Sequence, residues 1–511
     1  AIPRPADGAS AASAAGRRAV AEDALDRARL LFTSGAPHPE VGGTDPRAAT
    51  HVLRDLAVGV AELGGPERGR ALAILARPTA GAAGARGYST PSEVACSTHF
   101  CLHWVETTSD APPLADAGGD GIPDWVEVNA ATLERSWETE IVDYGYRPPK
   151  SDLGSDDHGP DGRVDVYLAD VGADGLFGYC ATDDPGLLGG VLASHDVSGY
   201  CVLDNDFKAG QFPGVSGVAG LQATAPHEFF HLVQFGYDVF EDVWFMESTA
   251  TWMEDEVFDA VNQNRDYLAA SSMRRGAVPV DDGDRRRLSL YGNWIFIRFL
   301  SEYAGSGGVP DPSIVRRAWE LADASAGAPD AYSIQALEQA AGERGFELRQ
   351  AFADFGAANL APERFYEEGE AYPTPSIDRW FRVSAGRADT GWWDVESRHL
   401  TSSYLEFRPG AGLASRSRLR ASVDAPESFA GSAATAVVFF LDGRVRFTDV
   451  ELDAAGDGSR TLPFGAGTVA RVVLVLTNAG TGYRCWTGSV FACSGEPVDD
   501  GRIVRYRATV V

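Results

Sequence analysis

Apolar positions in the leading part of the chain sit within Ala/Arg-rich stretches such as Ala19 to Phe32 and Ala48 to Leu63, which predict helices. A Gly/Ala-rich segment from Gly81 to Gly87 follows and reads as a linker. From His99 to Val105 the pattern turns strand-like, and Val164, Val166 and Leu168 alternate in the same way. Helical spacing returns at Val126, Ala130, Leu133, Trp137 and Ile141, and again at Met246, Ala250, Met253 and Val257. It stops around Tyr372-Pro373-Thr374-Pro375-Ser376. Beyond Arg382, strand runs such as Thr435 to Leu441 and Thr468 to Leu476, separated by Gly/Asp turns, predict a β-sandwich. The expected fold class is α+β, with a helical N-terminal region over residues 1–94, a central domain over 95–380 and an all-β sandwich over 381–511.

Within the central domain, His227-Glu228-Phe229-Phe230-His231 reads HExxH. Residues four apart on a helix lie one above the other, so His227 and His231 can reach one zinc ion while Glu228 stands beside it as general base. A catalytic zinc takes three protein ligands and keeps a fourth position for water, so a third ligand is expected downstream. The HExxHxxGxxH completion fails, because Gln234 and Tyr237 occupy the positions of its Gly and third His. Glu247 is the expected third ligand, and Glu254, on the same helical stripe with Thr251, is its rival. Pro226 immediately precedes His227 and is tolerated only in a first turn, so this helix is expected to begin near Thr224 or to kink there.

HEFFHLVQFGYD followed by WFMESTATWMEDE resembles the gluzincins, zinc peptidases that pair HExxH with a downstream glutamate, and more narrowly a family of secreted bacterial metalloproteases assigned largely by sequence. The match falls on His227, Glu228, His231 and Glu247, and the resemblance covers chiefly residues 96–300. It implies a gluzincin-like zinc peptidase domain, a protein or peptide substrate and endopeptidase action. In one gluzincin branch, the aminopeptidases, a Y-x-K-G tyrosine steadies the oxyanion. Tyr291-Gly292-Asn293-Trp294 is similar, which suggests that role for Tyr291, although Asn293 replaces the lysine and the glycine falls one place early. The branch's G-x-M-E-N segment has no counterpart here, which disfavours aminopeptidase action.

Two acidic runs look built for calcium. Asp116, Asp120, the Ile122 carbonyl, Asp124 and Glu127 fall on a calcium-loop spacing around Gly121, and Asp157, Asp161 and Asp165 repeat part of it. The alternative for both is an Asp/Gly turn. His99 and His103 are expected to be packed or solvated strand residues rather than ligands.

Composition narrows the function classes. The chain has 511 residues, 44% hydrophobic content and a formal net charge of −29, which permits sizeable cores and argues against nucleic-acid binding, because such affinity rests on Lys and Arg. Six cysteines form three local couples, Cys96 with Cys101, Cys180 with Cys201 and Cys485 with Cys493, and suggest three disulfides and an oxidising compartment. With no apolar run near 18 residues and no initial Met, a secreted extracellular protein with its signal peptide removed is expected. Residues 1–94 are a candidate propeptide, and lacking cysteine they cannot block zinc with a thiolate. The C-terminal sandwich is a candidate for glycan or surface binding. The competing reading of the whole is a non-enzymatic extracellular surface- or glycan-binding protein with a vestigial peptidase domain.

Overall fold

The computed structural model describes residues 14–32, 48–83, 86–426, 431–484 and 496–511. It is a mixed α and β protein, with twelve α-helices and several sheets among those residues. The chain leads with α1 (Ala14–Leu31), α2 (Ala49–Gly59) and α3 (Gly65–Ile74). Their apolar faces, including Leu25, Leu53, Leu56 and Ile74, belong to one continuous core that runs on through the central residues to Phe355 and Tyr372. Burying that surface together removes it from water once, at about 25 cal/mol per Å².

A five-stranded sheet lies at the centre of this body. Its strands are β1 (Glu93–Cys96), β2 (Phe100–Trp104), β3 (Val164–Ala169), β4 (Gly178–Ala181) and β5 (Tyr200–Asp204), in spatial order β1-β2-β3-β5-β4. The inner three are parallel and the two outer pairings antiparallel, which leaves β4 at an edge. Helix α4 (Asp124–Trp137) lies in the long connection from β2 to β3, and the short α5 (Pro185–Gly189) lies between β4 and β5. Against this sheet packs α6 (Val218–Phe235), where Phe229 meets Phe100 and Trp137 edge-on and stacked. Next to it lies α7 (Val243–Phe258), buried from Trp244 to Asp255 on every face. The body is completed by α8 (Ser289–Gly292), α9 (Trp294–Ala304), α10 (Ser313–Ala322), α11 (Ser333–Glu343) and α12 (Leu348–Ala358).

Of the two expectations from Pro226, a start near Thr224 fails: α6 begins at Val218, with the proline in its interior. The missing N–H releases only the carbonyl four residues back, and the rest of the ladder survives because the helix is buried on most sides.

The C-terminal residues form two packed antiparallel-rich sheets. One runs β11 (Val445–Asp449), β10 (Ser432–Phe440), β13 (Val469–Asn478), β8 (Thr401–Pro409), β6 (Arg379–Val383). The other runs β12 (Asp457–Pro463), β9 (Arg418–Asp424), β16 (Arg502–Val510), β7 (Trp393–Ser397), and β14 (Tyr483–Arg484) pairs with β15 (Glu496–Pro497). Period-two alternation divides β10 between two cores: Ala436 and Val438 face the partner sheet, whereas Val437 joins Ala357 and Leu360 of the helical body.

Two disulfides occur among the described residues, Cys96–Cys101 across β1 and β2 and Cys180–Cys201 across β4 and β5, as the local pairing anticipates. Cys485 and Cys493 lie outside the described residues. No described helix is long and apolar enough to cross a membrane.

Where body and sandwich meet, the His399 ring lies between two carboxylates, with Nδ1 2.6 Å from Asp499 and Nε2 3.3 Å from Asp281, and Tyr483 packs on it edge-on. Burial disfavours its charged form, but Asp281 and Asp499 outweigh burial and raise it to about 9. A raised folded-state value stabilises the fold fully below the unfolded value of about 6.5, and that stability disappears as pH climbs through about 9. Native protein is expected to lose about 3 kcal/mol of stability between pH 6.5 and 9 from this group alone. Urea unfolding at several pH values checks this: His399→Gln should flatten the slope, and an unchanged slope would refute it.

Candidate metal centre

The i, i+4 spacing on α6 brings His227 and His231 onto one face, with ring centroids 4.8 Å apart. Across from them α7 presents Glu247, whose Oε2 lies 3.1 Å from Nε2 of His227 and 3.8 Å from Nε2 of His231. Two ligand atoms on a tetrahedral zinc, each about 2.0–2.1 Å from the ion, stand roughly 3.3 Å apart, so these separations fit such an ion.

The outer nitrogens are held as a metal site needs. Nδ1 of His227 lies 2.8 Å from Oε1 of Glu254. Nδ1 of His231 lies 2.7 Å from Oε1 of Gln234, whose amide is oriented by donating Nε2–H to the Met246 carbonyl. Those bonds at Nδ1 fix the two ring orientations and turn each Nε2 toward Glu247. Glu254, the rival ligand, thus sits on the far side of the His227 ring, and Gln234 has a role that sequence reading assigned only by exclusion. Loss of such an orienting carboxylate typically weakens metal binding about 10–100-fold. Glu254→Gln is expected to do so, as competition with a chromophoric chelator would show; unaltered affinity would remove Glu254 from the site.

Burial governs the charges here. It lowers His51 to about 4 and His231 to about 3, so both are neutral imidazoles at neutral pH. For His227 burial acts downward too, but hydrogen bonds to Glu247 and Glu254 prevail and raise it well above the usual value. Burial raises the Glu228 carboxyl to about 7, opposed chiefly by the charge of His227. Tyr291 lies at the same place, with its hydroxyl donating to Oε1 of Glu247 at 3.4 Å. A small opening of about 40 Å³, lined by His227, Glu228, Glu254 and Tyr291, leads to this cluster.

No protein-family model and no curated protein matches the chain.

One member of the cluster was not foreseen. His51 on α2 reaches Oε1 of Glu247 with Nε2 at 3.0 Å, and its ring packs edge-on against His231 at 5.5 Å. Among the described residues, the donor atoms of His51, His231 and Glu247 all lie within 4.8 Å of one another, a set that excludes His227. The adjacent Thr50 donates its hydroxyl to Oε2 of Glu228 at 3.0 Å. Nothing local in Ala49–Gly59 signals this, because the contact depends on how α2 docks.

Neither acidic run gathers three carboxylates within 4.8 Å of one another. Asp116 accepts from the amides of Gly119 and Gly121, Asp120 from that of Ile122 and Asp124 from that of Ala117, which is the hydrogen bonding of a turn. Glu127 lies in the first turn of α4. In the second run Asp157 accepts from Thr79 and Asp161 pairs with Arg163, while Asp165 points inward to Arg77 and His103. Strand alternation points Asp165 inward, where its carboxylate packs against Gly159 of the same run as well as pairing with Arg77 and His103. His103 stacks on Tyr167, and His99 stacks on Trp137 with Nδ1 2.6 Å from Glu134.

Proposed function

We propose that this chain is a secreted zinc-dependent endopeptidase of gluzincin type, acting on proteins or peptides. The observation that carries this reading is the pair of histidines whose Nδ1 atoms are occupied by Glu254 and Gln234 while both Nε2 atoms face Oε2 of Glu247. His227, His231 and Glu247 would hold the metal, and when bound it would supply Lewis-acid activation of water and of the scissile carbonyl.

The remaining chemistry belongs to the chain. Glu228, one position along α6 from the first ligand, accepts the proton released as water attacks and returns it to the leaving amine. Tyr291 offers a hydroxyl beside the reacting centre for the developing oxyanion. Two disulfides agree with secretion into an oxidising compartment.

The test combines zinc stoichiometry with cleavage of casein and a peptide library. About one zinc per chain is expected, lost in His231→Ala and Glu247→Ala, together with cleavage that a chelator stops. Bound zinc with no cleavage by the native chain, or by variants that free the site, would leave only the surface-binding alternative.

A further inference from the structure

We infer that the leading helices keep this centre closed: His51 of α2 is a fourth protein ligand that fills the position a substrate or water needs, and Thr50 masks the base. The inference rests on the metallopeptidase reading and adds its regulation.

Three observations converge. The His51 side chain is fully buried, and neither ring nitrogen makes a hydrogen bond of good geometry, although Nε2 approaches Glu247 to 3.0 Å. A buried polar group without such a bond costs about 1–3 kcal/mol, a cost that coordination to a metal removes. Three imidazoles surround the Glu247 carboxylate, His51 at Oε1 and His227 and His231 at Oε2, so the chain offers as many donors as a four-coordinate zinc takes. Zinc sites closed by four protein ligands are structural, whereas catalytic sites keep one position open.

The second observation is the masking of the machinery. The Thr50 hydroxyl donates to Glu228 and accepts the Cys180 N–H at 2.9 Å. Cys180 lies on β4, the edge strand of the central sheet, so Thr50 takes up an N–H on the edge where an extended peptide could add as a further strand. The third is room. The opening beside His227 and Glu228 measures about 40 Å³, room for a few waters at about 10–15 Å³ each.

Helix α2 is anchored away from the ligands. Arg54 donates to the Glu241 carbonyl at 2.8 Å, and Asp55 pairs with Arg285. Displacing α2 would open the fourth position, release Glu228 and expose the β4 edge in one movement.

X-ray absorption at the zinc edge tests this on the full chain without reference to activity. Three imidazoles are expected in the native protein and two in His51→Ala and in His51→Phe, which keeps ring volume without a nitrogen. Zinc stoichiometry should hold in both variants, with folding checked by circular dichroism. Peptide cleavage should rise about 10–100-fold, the factor by which a plug leaving about 1–10% of molecules open suppresses access. Two imidazoles in the native chain, loss of zinc from both variants, or native cleavage equal to theirs would overturn the inference. Equal cleavage would leave the peptidase reading standing. A fall from three imidazoles to two with no cleavage by any form would instead defeat the peptidase reading and keep the coordination.

Discussion

Glu228→Gln is expected to lower peptide cleavage about 10²–10⁴-fold while zinc content stays unchanged, the loss typical of removing a positioned general base. The amide has nearly the same shape and can still accept from Thr50, which meets the native carboxylate at 3.0 Å, so the packing of α2 on α6 should survive. What the amide cannot do is take the proton. The comparison belongs in the His51→Phe background as well as the native chain, so that a closed site does not hide the effect. The measurement is kcat/KM on one library peptide beside metal analysis. Equal cleavage by both forms would remove Glu228 from the role of base, and loss of zinc would make it a ligand instead.

Arg77→Met should be the most damaging substitution away from the centre, costing about 3–5 kcal/mol as a broken buried ion cluster does. The Arg77 side chain is fully buried just beyond α3, with Nη1 2.6 Å from Asp165, Nη2 2.7 Å from Asp152 and Nε 2.8 Å from Asp183. Its guanidinium also lies over the Tyr200 ring at 5.1 Å. Removing it leaves carboxylates facing one another in a site that already raises Asp152 to about 6 through burial. Urea unfolding reads the loss. Adding Asp165→Asn to Arg77→Met should restore part of it, because the loss comes from uncompensated charge. An unchanged midpoint for Arg77→Met would mean that the cluster contributes nothing to stability.

The second prediction and the second acidic run meet at one residue. Asp165 belongs to a D-x-G-x-D-G-x-x-D run that reads as ligand spacing, yet it pairs with Arg77, which lies just beyond α3 and 88 positions away. Asp116, Asp120 and Asp124 show the complementary ambiguity: a short carboxylate that can hold calcium can equally accept its own loop's amides. Pro226 misplaced the helix start, because a proline tolerated inside a buried α6 gives no sign of the turns that precede it.

The chain's local patterns were enough to mark His227, Glu228, His231 and Glu247, because helical spacing places side chains on a common face whatever the rest of the fold does. They also marked the two cysteine couples across neighbouring strands and the alternating runs of β10 and β13. Tertiary structure alone decided that Glu254 and Gln234 orient the imidazoles, that Asp165 turns to Arg77, and that Thr50 and His51 come to the centre. Thr50 and Glu228 stand 178 positions apart, and no periodicity carries across such a distance. Only the docking of α2 on the core it shares with the sheet, driven by apolar burial that ignores sequence separation, brings them together.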